Sequence, residues 1–338
     1  VIRPGDVSSD HEMPAPWAAW VKQLVPGKIA LATWRSRRKP QLVRATRALL
    51  AAEGGPAPRT LPEHAPGAPV ILMPTGPGEL RWLPDTLASV RAYAPEATVV
   101  LLADGANDLP RATAERELPG TVFLRTPAVT GGPPRLSPSL AWGYRWCLDH
   151  LDFGLLLKMD VDALLTAPGL LDRMAAAVAD DPSIGMLGTP AMRDGAIPGD
   201  TSFGLWVVGS EKRFARTVRE ADAAARAHGW RGEEDHGGIY ALTRAALEGM
   251  RGTGHLDRQP PWWTLVGEDL WFSMGVAGAG KRVVTLPGIV SGQARVPLGV
   301  RQVLDDGVLA VHSVKQGLGG EDQATLRAAF AAARPTAS

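Results

Sequence analysis

The run Phe153-Gly-Leu-Leu-Leu-Lys-Met-Asp160-Val-Asp162 constrains the fold of this chain more than any other stretch. Phe153 to Leu157 are apolar and too few for a helix with its own core face, so they read as a strand buried on both sides. A buried strand ordinarily ends in a turn of Gly, Asn or Ser. This one ends in Asp-Val-Asp. In extended chain, positions i and i+2 point the same way, so Asp160 and Asp162 share a side and Val161 points opposite. Two carboxylates about 4 Å apart repel by about 4 kcal/mol at an effective dielectric near 20. Something positive belongs between them. A hard divalent cation takes one or two carboxylates together with phosphate oxygens and meets that need. Two solvated aspartates in a turn are the plainer alternative.

The surrounding pattern supplies the sheet that such a strand needs. From Pro69 onward, short apolar runs at 70–73, 98–103 and 121–124 alternate with helical periodicity at 83–94 and 137–151. Leu83, Leu87, Val90 and Tyr93 fall on one face of the first helix. Beyond the Asp pair, helices are expected at 169–179, 211–228, 244–250, 267–278 and 324–333. Strands are expected at 184–187, 203–208, 283–286 and 308–311. This alternation implies an α/β fold with a mainly parallel sheet flanked by helices. Ligands in such sheets lie beyond the carboxyl ends of the strands, where Asp104 and the Asp160/Asp162 pair should meet. The section 1–68 reads as an N-terminal extension and linker, with Trp17, Trp20 and Trp34 as apolar anchors and a Pro/Gly-rich stretch at 54–69. The main domain spans 69–318, and 319–338 form a C-terminal helix and tail.

Composition narrows the function. The 338 residues carry 36 Lys+Arg against 35 Asp+Glu, a net charge of +1, so there is no general electrostatic case for nucleic acid. Cys147 is the single cysteine, which excludes a disulfide framework and a cysteine zinc site. No apolar run approaches the roughly 18 residues of a membrane span, and no signal-peptide order is visible. The expectation is a cytoplasmic chain. Abundant Ala, Gly, Pro and Arg point to a GC-rich bacterial coding sequence.

Four further pieces accompany the strand: Gly237-Gly238, Glu268-Asp269 at a helix start, His312 after an apolar run, and Lys158 and Lys315 nearby. Separately they read as a positive-φ turn, a helix cap, an edge histidine and surface charges. Together and in this order they resemble the pattern of GT-A glycosyltransferases over about 70–315. Leu-Leu-Lys158-Met-Asp-Val-Asp162 is similar to the DxD motif of those enzymes, and Gly237-Gly-Ile-Tyr-Ala-Leu-Thr-Arg to their acceptor loop. Gly267-Glu-Asp-Leu-Trp is similar to their xED motif, and Val311-His312-Ser to their C-terminal metal histidine. The spelling around Lys158–Asp162 and Glu268–Trp271 resembles the β-1,3-galactosyltransferase and fringe type. The opening unit resembles the broad bacterial inverting family.

The resemblance implies a Rossmann-like, mixed but mainly parallel sheet. It also implies transfer of a sugar from a nucleoside diphosphate sugar, a UDP-sugar in expectation, to a hydroxyl on a small-molecule or glycoside acceptor. It assigns Mn²⁺ or Mg²⁺ to Asp162 and His312, with Asp162 the direct ligand and Asp160 facing the ribose or a metal-bound water, so that Asp160 counts with both the metal and the donor. It sets Thr75 and Asp104 against the nucleoside, and Lys158 and Lys315 on the diphosphate or the carboxylates. Asp269 is the expected general base, with Glu268 as alternate, and inversion follows if Asp269 abstracts the proton. Gly237, Gly238 and the adjacent Trp262 and Trp263 fall on the acceptor side. Trp230 and Trp271 lie beside them, where stacking on sugar and buried packing are equal explanations. Two alternatives stand: a retaining enzyme of the same fold, and a haloacid dehalogenase-type phosphatase with Asp160 as nucleophile.

Overall fold

The structure, a computed structural model, describes residues 64–76, 80–103, 116–126, 136–190, 202–213, 215–261, 264, 266–292 and 295–335, together with Arg44 and Ala48. Asp104, Trp262, Trp263 and nearly all of the 1–68 section lie outside the described residues.

The expected sheet is present. Among the described residues it has seven strands in the order β3-β2-β1-β4-β7-β6-β8. These are β1 (Val70–Thr75), β2 (Thr98–Ala103), β3 (Val122–Arg125), β4 (Leu155–Met159), β6 (Ile184–Gly188), β7 (Ile239–Thr243) and β8 (Arg282–Thr285). β1 pairs in parallel with β2 and β4, as do β2 with β3 and β6 with β8; β7 runs antiparallel to both β4 and β6. The sheet is therefore mixed by virtue of one reversed strand. That reversal brings the start of β7 to the edge where β1, β2, β4 and β6 end.

Strand alternation builds the two cores. Leu156 faces a cluster with helices α2 (Leu136–His150), α5 (Arg216–Ala227), α6 (Arg244–Gly252) and α7 (Glu268–Gly278). Leu155, Leu157 and Met159 face the opposite cluster, with α1 (Leu83–Tyr93) and α3 (Leu170–Asp180). All five residues of β4 are buried, as a central strand covered on both faces requires. A second, three-stranded sheet has the order β5-β10-β9, from Leu164–Leu165, Ala310–His312 and Ile289–Ser291. It packs on its own apolar cluster with the short helix α8 (Val300–Asp305) and the last helix α9 (Gln323–Ala332).

One expected strand is a helix. The run expected as a strand at 203–208 lies inside α4, Ser202–Glu211. Its residues are apolar on every side, and an apolar run without polar alternation does not separate a buried helix from a buried strand. The helix expected at 211–228 begins only at Arg216, because Glu211 closes α4.

Candidate active site

The site is assembled where strand ends meet. The backbone N–H of Asp160 donates to the Gly238 carbonyl at 2.9 Å, and Val314 N–H donates to the Asp162 carbonyl at 2.7 Å. The turn after β4 is thus held between the start of β7 and the segment after β10. β5 fixes the third partner. It follows Asp162 by two residues and pairs antiparallel with β10, Val311 opposite Leu164, so His312 arrives beside the aspartates. Asp160, Asp162 and His312 each offer a ligand atom, and these atoms lie within 4.8 Å of one another. Two carboxylates and an imidazole are a donor set that suits Mn²⁺, with Mg²⁺ favouring the oxygens.

Charge around Asp162 is already balanced. Its Oδ1 lies 3.4 Å from His312 Nε2, and its Oδ2 takes Lys315 Nζ at 2.7 Å and Ser313 Oγ at 3.1 Å. Burial pushes this carboxyl up, but His312 and Lys315 outweigh it and hold Asp162 well below the usual carboxylate range. Lys315 is half exposed. Asp160 responds in the other direction: burial raises it, and Lys158 only partly offsets the rise.

Lys158 is fully buried. It donates to the Gly237 carbonyl, pairs with Asp160 Oδ1 at 2.7 Å and lies 3.6 Å from Glu268 Oε1. An ammonium has three protons, and these partners take them. Burial alone would lower its pKa; the two carboxylates reverse that and raise it. The ring of Tyr240 lies 5.6 Å away and supports the charge from the side. Of the two roles open to Lys158, the geometry provides the pairing with carboxylates, and its amine faces inward.

Glu268 and Asp269 diverge. Glu268 is buried against Lys158. Asp269 is only half-buried; its carboxylate accepts from the N–H of Leu270 at 2.8 Å. Burial, then the neighbouring Glu268 charge, raises Asp269 above the ordinary carboxylate range. A third carboxyl, Asp235, is buried nearby; burial, then the Asp269 charge, raises it well above the usual range.

The glycines of the loop are explained by proximity. Neither Gly237 nor Gly238 has positive φ, contrary to the turn expected from sequence. A Cβ on Gly237 would overlap the Glu268 carboxylate, and one on Gly238 would overlap the imidazole of His312. Glycine is there because the two candidate site side chains occupy the space.

Thr75 ends β1 on the same edge, but it is buried and its hydroxyl donates to the Met73 carbonyl at 3.2 Å. Trp230 and Trp271 resolve to packing. Both are buried; Trp230 Nε1 donates to the Glu233 carbonyl at 2.9 Å, and Trp271 stacks on His255 at 4.2 Å. Asp160, the nucleophile of the phosphatase alternative, is held by Lys158.

Two residues at the site escaped the sequence reading. Ser291 Oγ lies 2.9 Å from His312 Nδ1 and 2.6 Å from His236 Nδ1. Burial, then the charges of His312 and Lys158, pushes His236 down to about 3. A lone serine at the end of a three-residue strand gives no sequence signal. His236 stood one residue before the glycine pair and carried only that hint.

No protein-family description and no curated protein sequence matches this chain. Among solved structures, it is similar to a mannosyltransferase, PcManGT, from Pyrobaculum calidifontis in complex with GDP-Man and Mn²⁺. The identity is 18% and the TM-score 0.42, over 85% of this chain and 68% of that one. It is also similar to the bifunctional WbbM glycosyltransferase in its apo form, at 10% identity and a TM-score of 0.45, over 83% of this chain and 51% of that one. A third similarity is to S. aureus TarS 1–349, at 14% identity and a TM-score of 0.38, over 65% of this chain and 58% of that one. The chain thus spans only about half the length of the last two.

Proposed function

We propose that this chain is a cation-dependent glycosyltransferase of the GT-A type, moving a sugar from a nucleoside diphosphate sugar to a hydroxyl acceptor with inversion. The observation that carries this reading is the convergence of Asp160, Asp162 and His312 within 4.8 Å at the carboxyl edge of the sheet. They meet beside a half-buried Asp269. Asp160, Asp162 and His312 would hold Mn²⁺ or Mg²⁺, which when bound neutralises charge on a departing diphosphate.

The remaining work falls to the chain's own groups. Lys315, half exposed and at present on Asp162 Oδ2, is within a side chain's swing of the phosphates. The nucleoside, in our reading a uridine, would lie along the ends of β1 and β2, near Thr75. Asp269 accepts the proton of the acceptor hydroxyl as its oxygen bonds to the anomeric carbon. The bond from that carbon to the diphosphate oxygen breaks on the opposite face, and the nucleoside diphosphate leaves with its electron pair. Glu268 is the weaker candidate for base, because Lys158 already neutralises it. Lys158 instead joins the aspartate turn to the glycine loop. Gly237 and Gly238 border the acceptor side, and a small molecule or glycoside is the acceptor class we favour.

The test is donor hydrolysis across a panel of nucleoside diphosphate sugars, with Mn²⁺ and with EDTA. We expect hydrolysis of one donor class that requires Mn²⁺ and disappears in Asp162→Ala. Hydrolysis that survives both EDTA and Asp162→Ala would refute the reading.

A further inference from the structure

Ser291, His236 and His312 form a hydrogen-bonded row behind the candidate cation site. The parallel pairing of β9 with β10 sets Ser291 directly beside His312. Ser291 Oγ then lies 2.9 Å from His312 Nδ1 and 2.6 Å from His236 Nδ1. The two imidazoles lie 5.1 Å apart, centroid to centroid. His236 is fixed at its own backbone, whose N–H donates to the Thr189 carbonyl at 2.8 Å. Ser291 is fully buried, so its hydroxyl has these two rings in place of solvent.

A hydroxyl donates one proton and accepts on its lone pairs. It therefore cannot donate to both Nδ1 atoms, and one ring must donate to it. The row has two consistent states. In one, His236 donates to Ser291, Ser291 donates to His312 Nδ1, and the His312 proton sits on Nε2, facing Asp162 Oδ1 at 3.4 Å. In the other, His312 donates from Nδ1, Ser291 turns its proton to His236, and His312 Nε2 presents a bare lone pair beside Asp162. Only the second leaves Nε2 able to bind a cation.

We propose that Ser291 and His236 are positioning residues that select the His312 tautomer able to bind a divalent cation. This rests on the cation reading of the preceding subsection. The two states hold the same number of protons: the exchange takes the Nε2 proton off His312, places one on Nε2 of His236 and turns the hydroxyl between the two Nδ1 atoms. His236 supplies the acceptor that completes the move.

Free Mn²⁺ titrated into the full chain and followed by electron paramagnetic resonance tests this without turnover. Wild type should bind Mn²⁺, with binding lost in Asp162→Ala and His312→Ala. Removing an outer partner of a ligating histidine costs about 10–100-fold in metal affinity, and Ser291→Ala should fall in that range. His236→Ala should lose about tenfold, whereas His236→Asn, whose carboxamide keeps a donor and an acceptor close to the lost Nδ1, should stay within about threefold of wild type. Nitrogen-15 spectra of the Mg²⁺-loaded protein should show His312 as a single Nδ1–H tautomer, and a mixture in Ser291→Ala. Ser291→Ala and His236→Ala binding as tightly as wild type would overturn the proposal while leaving the cation site intact. Wild type that binds no Mn²⁺ would remove the cation reading and the proposal with it. Thermal melts monitor folding; should Ser291→Ala fail to fold, the Ala-versus-Asn contrast at His236 decides alone.

Discussion

Asp269 and Glu268 are neighbours in sequence with different environments, and in the function proposed above that difference separates their roles. Glu268 is buried against a lysine. Asp269 faces partly outward, with its carboxyl raised by burial and by Glu268. A general base works as the carboxylate. With its pKa raised, Asp269 is protonated below the shifted value and active above it, so the rate of transfer should rise with pH. The midpoint should lie above the usual carboxyl value of about 4. Asp269→Asn should lower kcat by about 10²–10⁴-fold, the usual weight of general base catalysis. The same change should abolish the rising limb while nucleotide binding by calorimetry stays near normal. Full turnover in that variant would assign the base elsewhere. Asp160 and Asp162 come together as expected, but they do so in a turn closed by the Ala163 N–H on the Asp160 carbonyl at 3.0 Å, not through the side-chain period of extended chain. The burial of Lys158, with all three protons taken, was not legible in sequence, because two of its three partners come from residues 79 and 110 positions further along.

At the scale of elements, the site depends on two devices, of which only the second, a helix, was expected from the sequence. The first is the small sheet, where a two-residue strand and two three-residue strands set His312 against Asp162 and Ser291 against His312. Strands this short have too few positions for a period, so β5 and β9 were invisible from sequence. The long central elements were legible because their apolar runs repeat over several positions. Expected and observed bounds for α7 and β6 differ by one residue at one end. The failure at 203–208 follows from the same logic, since that run is apolar throughout.

The second device is α9. Arg327 is buried in this helix and donates to the Val161 carbonyl at 2.7 Å, to Asp85 Oδ2 at 2.7 Å and to Thr86 Oγ1 at 3.1 Å. Thr86 Oγ1 also donates to the Val161 carbonyl, at 2.6 Å. Val161 is the residue between the two aspartates, so α9 and α1 together clamp the turn from behind. Breaking a buried ion pair from one side costs about 3–5 kcal/mol, and the partial exposure of Asp85 places Arg327→Ala towards the lower end. A drop of several degrees in melting temperature is expected, together with weaker Mn²⁺ binding although no ligand is altered. Unchanged Mn²⁺ affinity in a folded Arg327→Ala protein would show that the turn keeps its shape unaided.

The whole molecule carries nearly balanced charge, +1 over 338 residues, yet it gathers Asp160, Asp162, Glu268, Asp269 and Asp235 at one sheet edge. Lys158 and Lys315 offset part of that density, and burial favours the neutral form of Asp235. A bound divalent cation should therefore stabilise the native state. At free Mn²⁺ about 100-fold above its Kd, binding adds about 2.7 kcal/mol, or about 5–10 °C in melting temperature for a domain of this size. The shift should vanish in Asp162→Ala and reverse on adding EDTA. No helix among the described residues is long and apolar enough to cross a membrane.

The grip of Arg327 on Val161 has a consequence for how the protein comes into being. The aspartate turn emerges from the ribosome some 166 residues before the arginine that braces it. During synthesis the nascent chain carries this turn open at the back until α9 folds down. A cell-free ribosome-stalled intermediate ending just short of α9 should accordingly leave the aspartate turn sensitive to proteases that spare it in the released protein.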